Sequence, residues 1–86
     1  MNITKKEMLQ LDIDFEKQQL AETLKKAQQK AADFASEVNF AQVESESMNM
    51  WELTSMAQTM QQLMEKAKEL RARIEAYENA MKLIED

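Results

Sequence analysis

The stretch that decides the fold runs from Leu53 to Ile84 and reads LTSMAQTMQQLMEKAKELRARIEAYENAMKLI. Its apolar residues recur at steps that alternate between three and four without interruption. This repeat of about 3.5 residues is typical of a helix that buries one stripe against a partner helix. The stripe consists of Leu53, Met56, Met60, Leu63, Ala67, Leu70, Ile74, Tyr77, Met81 and Ile84. The sequence therefore predicts a long C-terminal helix with a heptad seam.

The N-terminal half carries a second stripe with the same alternation. It consists of Ile13, Lys17, Leu20, Leu24, Ala27, Ala31, Phe34, Val38 and Ala41, and Lys17 is its one polar member. Two stripes of similar length can cover each other when the chain folds back between them. We therefore predict an all-α fold, an antiparallel two-helix coiled-coil hairpin. Residues 1–86 then form a single helical domain, with helix 1 at about 4–43, a turn at about 44–49 and helix 2 at about 50–85.

The start of the first helix is marked by a capping box. Thr4 can accept a hydrogen bond from the backbone N–H of Glu7, and Ile3 and Met8 occupy the two positions of a hydrophobic staple. The next residues, 9–16, alternate between apolar and polar, which is also the pattern of a half-buried strand. The capping box favours the helix.

The connection between the stripes permits two interpretations. Asn49 and Glu52 could form a second capping box, which predicts a turn. The heptad phase also slips by one residue here, which a single continuous helix about 120 Å long could absorb as a skip. The register of the hairpin stays open as well. Ala41 could face Leu53, so that the numbers of facing residues add to 94, or it could face Met60, so that they add to 101.

Composition excludes several classes of function. The 86 residues include no His, Cys, Gly or Pro, so the usual general base, thiol nucleophile, zinc ligands and phosphate-binding loop are missing. We expect no enzymatic activity, no cofactor and no metal. The net charge of −5 argues against nucleic acid and anionic membranes as partners, and no apolar run could span a bilayer. A cytoplasmic location is the default expectation.

Two charged clusters offer alternatives to that expectation. Asp12, Asp14 and Glu16 would share one face of a strand and could hold Mg²⁺, but on a helix they spread around the axis. The basic residues of 66–73 could contact phosphate, but Glu65 and Glu69 are interleaved with them. We interpret both clusters as solvated helix faces.

Apolar residues outside the two stripes predict contacts beyond the hairpin. A two-helix hairpin leaves one side of each helix open to water, so these residues need another surface to cover them. Dimerisation into a four-helix bundle is the economical solution. The candidate oligomerisation residues are Met8, Leu11, Phe15 and Ala57.

Eight Met residues, several of them close to Trp51, are the unusual feature of the composition. Met often fills irregular gaps in a core, which is one interpretation of this group. The other is an adaptable partner surface with Trp51 as its anchor, because thioethers repack against varied shapes and Trp is frequent at binding hot spots. The candidate partner-binding residues are Phe40, Val43, Met48, Met50, Trp51 and Met64.

These observations predict a helical module for protein–protein interaction that self-associates, as a homodimer, and binds a protein partner. An assembly factor, adaptor, chaperone or inhibitor would have these properties. The alternative is a structural subunit of a larger homo-oligomeric helical assembly, which could be secreted without a cleaved signal. No family is identified: the chain is loosely similar in size and shape to secreted hairpin proteins with Trp-x-Gly at the bend, but Leu53 stands where their Gly would be.

Overall fold

The computed structural model describes residues 3–44 and 50–84. Within them, the chain forms two α-helices, α1 (Lys5–Glu44, 40 residues) and α2 (Met50–Lys82, 33 residues), which pack against each other as an antiparallel hairpin. The molecule measures 65 × 19 × 14 Å. The predicted hairpin is therefore confirmed, and the single continuous helix is wrong. Most of the predicted turn, including Asn49, lies outside the described residues, and dimerisation into a four-helix bundle stays a prediction.

The capping box at the start of α1 is confirmed. The backbone N–H of Glu7 donates to Oγ1 of Thr4 at 3.1 Å, and the Thr4 hydroxyl donates to Oε1 of Glu7 at 3.2 Å. Thr4 thereby satisfies one of the N–H groups that a helix start leaves unpaired. Residues 9–16 continue this helix, so the strand alternative is wrong. Gln10 supports the helix with a hydrogen bond to Asp14, one turn ahead, at 2.8 Å.

The seam of α2 is the predicted one. All ten residues of its stripe are buried or partly buried, and Leu53, Ala67, Leu70 and Ile74 are the most deeply buried. Ala67 is fully shielded from solvent. A small side chain at this position allows the two helix backbones to approach closely at mid-length.

The seam of α1 is partly different from the predicted stripe. Lys17 and Ala31 are exposed, whereas Glu16 and Thr23 are buried, so α1 is rotated about its axis relative to the prediction. Both polar groups are satisfied within the seam. Arg73 of α2 donates to Oε1 of Glu16 at 3.2 Å, and the Thr23 hydroxyl donates to the Gln19 carbonyl at 2.7 Å. The resulting seam of α1 consists of Ile13, Glu16, Leu20, Thr23, Ala27, Lys30 and Phe34.

The contacts between the helices also settle the register. The numbers of Glu16 and Arg73 add to 89. One groove is lined by residues 27 and 31 of α1 and by residues 60 and 64 of α2, which add in crossed pairs to 91. Facing residues therefore have numbers that add to about 90. The predicted registers of 94 and 101 are displaced from it by roughly 6 Å and 16 Å along the helix, so neither is correct.

Candidate protein-binding surface

One side of the hairpin carries a strip of apolar side chains near the bend, the end where α1 ends and α2 begins. Two open cavities mark it, of about 430 Å³ and about 350 Å³. Leu24 and Ala31 face Met60 and Met64 in the first. In the second, Phe34 and Val38 lie opposite α2 residues at 50–57. We call this surface the apolar flank: Leu24, Ala31 and Val38 of α1, and Met50, Ala57, Met60 and Met64 of α2.

Helix geometry places the two cavities on the same side of the hairpin. Leu24, Ala31 and Val38 follow each other at intervals of seven residues, which is close to two helical turns, so they share one face of α1. On α2, residues 50, 57 and 64 repeat at the same interval. The α1 side of the strip spans 14 residues from Leu24 to Val38, which corresponds to about 21 Å.

The apolar flank is only half covered by the hairpin itself. Leu24, Val38 and Met60 are partly buried, whereas Ala31 and Ala57 are exposed. Met50 and Met64 are 64% and 47% exposed. Burying a large apolar side chain completely is worth about 1.5–3 kcal/mol, so the exposed methionines represent an unused driving force for association.

The same side of the hairpin becomes polar toward the chain termini. There a cavity of about 370 Å³ is lined by Ile13, Met81 and Ile84 and by charged or polar side chains. These are Lys6, Gln10, Lys17, Glu78 and Lys82. The apolar character is therefore confined to the half of the flank near the bend.

Charge is segregated along the hairpin in the same way. Residues 31–64 contain five acidic residues and no basic ones. The rest of the chain contains the other 11 acidic residues and all 11 basic ones, so its formal charge is zero. The whole net charge of −5 thus belongs to residues 31–64, a segment that includes every residue of the apolar flank except Leu24. The acidic residues are Asp33, Glu37, Glu44, Glu46 and Glu52.

The predicted partner-binding residues do not form one surface. Met50 and Met64 belong to the apolar flank. Trp51 is 81% exposed and lies about 100° around α2 from Met50, so it projects from the outer face. Phe40 is exposed and lies about 200° around α1 from Val38, on the opposite side of the hairpin. Met48 and the side chain of Val43 lie outside the part of the chain that the structure describes.

Three residues of the apolar flank, Leu24, Ala31 and Val38, belong to the stripe that the sequence predicts for the seam of α1. The spacing of the three α1 residues was the available signal, but a seven-residue interval also relates Glu16, Thr23 and Lys30. Hydrophobicity favoured the first set as the seam. The structure instead gives the seam position to the second set, where Glu16 meets Arg73 of α2 and the Thr23 hydroxyl donates to the Gln19 carbonyl of its own helix.

Three of the predicted oligomerisation residues lie together. Met8, Leu11 and Phe15 are each more than half exposed, and their spacing places them on one face of α1. Leu11 lies about 200° around the helix from the buried Ile13, so this face points away from α2. We call these three residues the outer patch. Ala57 does not join them and belongs to the apolar flank.

The described residues assemble neither a metal site nor a membrane-spanning helix. No group of three or more carboxylates comes together there as a set of metal ligands. Glu16 is engaged by Arg73, and Asp14 accepts a hydrogen bond from Gln10. Neither described helix is long and apolar enough to cross a membrane. The chain matches no model of a protein family, no curated protein and no solved structure.

Proposed function

We propose that this chain is a non-enzymatic interaction module that binds a protein partner through the apolar flank and self-associates through the outer patch. The observation that carries the proposal is the apolar flank itself, a strip of half-covered Leu, Val and Met side chains beside a two-helix seam. An assembly factor, adaptor, chaperone or inhibitor would use such a surface.

The shape of the apolar flank supports a protein as the partner. Contiguous exposed apolar surface on a small soluble domain commonly marks a protein-interaction site. A groove between two packed helices suits a third helix, whose side chains enter the gaps between theirs. Met50, Met60 and Met64 add adaptability, because an unbranched thioether side chain can change rotamer to fit the partner.

The outer patch supports self-association at the other end of the hairpin. It lies in the part of the chain whose formal charge is zero, so two copies can approach there without net repulsion. It is also narrow, with three large side chains at intervals of three and four residues. Two copies of α1 crossing at this patch would bury all six side chains.

The test of partner binding uses two neighbouring alanines. Ala31 lines the apolar flank, and Ala32 lies about 100° further around α1; both are exposed. Tagged protein is isolated from its own cells as the wild type, as Ala31→Glu and as Ala32→Glu. We expect a partner to co-purify with the wild type and Ala32→Glu, and to be lost with Ala31→Glu. Far-UV circular dichroism checks that both variants stay helical.

If Ala31→Glu and Ala32→Glu retain the same partners equally, the apolar flank is not the binding surface and the proposal fails. The same holds if both variants lose them equally while helicity is unchanged. The comparison is matched because the two substitutions add the same side chain and the same charge one residue apart.

A structural subunit of a larger homo-oligomer is the second candidate. The separation of the apolar flank and the outer patch favours it. If the flank of one molecule binds the patch of the next, the homo-oligomer can grow head to tail. Sedimentation velocity at several protein concentrations separates the two candidates. A discrete dimer that still binds another protein supports the interaction module, whereas open-ended growth supports the structural subunit.

A further inference from the structure

We infer that the occupant of the apolar flank is an amphipathic helix of another protein, with an apolar stripe that ends in a cluster of acidic residues. This inference rests on the proposed function and deepens it by naming the chemistry of the bound segment. Two features of the described residues carry it. The cavities of the flank are lined by uncharged residues, and the flank is bordered by basic residues at its end toward the chain termini.

The surface of the flank itself is uncharged. Six residues line each of its two cavities, and none of the twelve is charged. A charged side chain of the occupant would lose its water there without gaining a partner, which costs free energy. The part of the occupant that lies on the flank is therefore apolar where it touches the cavities.

The acidic side chains described within residues 31–64 do not border the flank. Asp33 lies about 140° around α1 from Val38, and Glu52 lies about 160° around α2 from Met50. Glu37 directly precedes Val38 and is turned from it by about 100°, toward the far edge of the seam. These carboxylates lie across the seam from the flank and do not select the charge of its occupant.

Three basic residues border the flank at its end toward the chain termini. Lys17 precedes Leu24 by seven residues and lines a cavity on the same side of the hairpin. Arg71 follows Met64 by seven residues and Lys68 follows it by four, so both continue the face of α2 that carries Met64. We call Lys17, Lys68 and Arg71 the basic border.

The basic border is not neutralised by the described helices. Its three side chains are exposed, and none of them forms an ion pair with a described residue. Because the numbers of facing residues add to about 90, Lys17 and Arg71 stand opposite each other across the groove. Carboxylates of a bound helix placed between these cations would be attracted by both sides of the groove. Charge complementarity therefore favours acidic residues at this end of the occupant.

The other charged residues near the flank do not alter this preference. Lys26 and Lys30 lie about 160° and about 120° around α1 from Leu24, on the other side of the seam. Lys25 and Glu65 each directly follow a flank residue and are turned by about 100° toward the outward faces of the two helices. These last two are opposite in sign, so together they favour neither charge.

The dimensions set the length of the bound helix. The flank spans about 21 Å from Leu24 to Val38, and Lys17 lies about 10 Å further along α1. A helix of about 20 residues covers both, with apolar residues at intervals of three and four over the flank and acidic residues in its last turns over the basic border. Only this segment is constrained, and the partner as a whole can carry either net charge.

The experiment titrates the full-length chain with three synthetic peptides of about 20 residues. All have Leu at intervals of three and four and Gln at most other positions. The first ends in a cluster of Glu, the second ends in a cluster of Lys, and the third carries the same Glu residues in its middle. Binding is followed by the methyl signals of ¹³C-methionine. Met60 and Met64 report on the flank, and Met8 lies in the outer patch.

We expect the peptide that ends in Glu to bind saturably, to shift the Met60 and Met64 signals and to leave Met8 unmoved. Its affinity should exceed that of the other two peptides by about tenfold. Raising the salt concentration should reduce this advantage, because screening weakens attraction between exposed charges. If the peptide that ends in Lys, or the one with Glu in its middle, binds as tightly, the acidic end is wrong.

A pair of matched charge variants tests where the attraction originates. Lys17→Gln with Arg71→Gln removes two cations of the basic border. Lys26→Gln with Lys66→Gln removes two exposed cations from the other side of the seam, since Lys66 lies about 160° around α2 from Met64. We expect the first pair to weaken the peptide that ends in Glu by about fivefold and the second to have a smaller effect. Equal effects would show that only total charge matters, which overturns the inference.

Failure of the inference and failure of the proposed function give different results. If no peptide shifts Met60 and Met64, or if these signals shift with protein concentration alone, a helix with an acidic end is not the occupant. In the second case a second copy covers the flank. Loss of the cellular partner with Ala31→Glu would still support the proposed function. If partner capture is indifferent to that variant, the proposed function itself has failed.

Discussion

Glu16 is the residue that distinguishes the observed seam from the predicted one. Only 8% of its surface is exposed, and its carboxylate accepts a hydrogen bond from Arg73, a residue 57 positions away in the sequence. Taking a charged group out of water costs free energy unless a partner compensates for it. The pair therefore contributes little net stability, and we expect its main effect to be on which residues of the two helices face each other.

We predict that Arg73→Met destabilises the hairpin by about 1–3 kcal/mol, because the Glu16 carboxylate then stays buried without its partner. The side chain of Arg73 is itself 54% exposed, which keeps the cost below that of a fully buried pair. Urea unfolding followed by circular dichroism measures the change. Arg71→Met is the control, since Arg71 is exposed, and it should shift stability by less than about 0.5 kcal/mol.

The double variant Glu16→Met with Arg73→Met completes this test. Two apolar side chains of similar length can replace an ion pair with little loss, so stability should return close to that of the wild type. If Arg73→Met costs nothing, or if the double variant is less stable than the single one, the hydrogen bond does not have the role assigned to it.

Single residues also show which parts of the two seams could be predicted from the sequence. The apolar stripe of α2 was predicted completely, because every member is apolar and no rival stripe exists on that helix. On α1, Leu24 and Ala31 outranked Thr23 and Lys30 by hydrophobicity. What reversed the ranking was the match of Glu16 with Arg73, which is not visible until the helices are paired, while the Thr23 hydroxyl is satisfied within α1 by the Gln19 carbonyl.

At the scale of the helices, α1 and α2 divide their apolar residues among several faces. α1 has a seam, its share of the apolar flank, and the outer patch near its start. α2 has a seam, its share of the flank, and Trp51 on its outer face. A helix that is apolar on more than one face normally covers the extra faces with another chain. Helix boundaries and the capping box followed from local residues, but the division into faces needed the rotation of α1.

Trp51 gives a prediction at this scale. Because 81% of its surface is exposed at the first turn of α2, Trp51→Ala should leave helicity and the thermal midpoint nearly unchanged. Although Trp51 lies outside the apolar flank, we expect partner capture to fall, because a partner that continues from Met50 around the first turn of α2 would bury this large aromatic group. A drop in the thermal midpoint would instead mean that Trp51 packs against the hairpin, and its assignment to a binding surface would then be wrong.

At the scale of the whole molecule, a rod 65 Å long keeps its two apolar surfaces apart. The outer patch lies near the chain termini and the apolar flank lies near the bend. Self-association at one end therefore leaves the other end accessible. The sequence predicted that apolar residues exceed what a hairpin can bury and divided them into an oligomerisation set and a partner-binding set. It could not place Leu24, Ala31 and Val38 outside the seam, because that depends on the rotation of α1.

We predict that Leu11→Gln with Phe15→Gln converts the self-associated form into a monomer, because the outer patch loses two of its three large side chains. Sedimentation velocity across a range of protein concentrations measures this. Leu83→Gln is the control, since Leu83 is also strongly exposed but lies outside the patch. Unchanged association in the double variant, or a monomer in the control, would contradict the assignment of self-association to the outer patch.

The segregated charge has a consequence for how this molecule meets others in solution. A rod with five net negative charges near one end and none near the other is an electric dipole as well as an ion. The field of a positively charged body would rotate it during diffusion, so that encounters occur with the bend foremost. Ionic strength would then control the rate at which complexes form more than the rate at which they separate. The order of charges along the chain would thus orient the hairpin before it touches a positively charged partner.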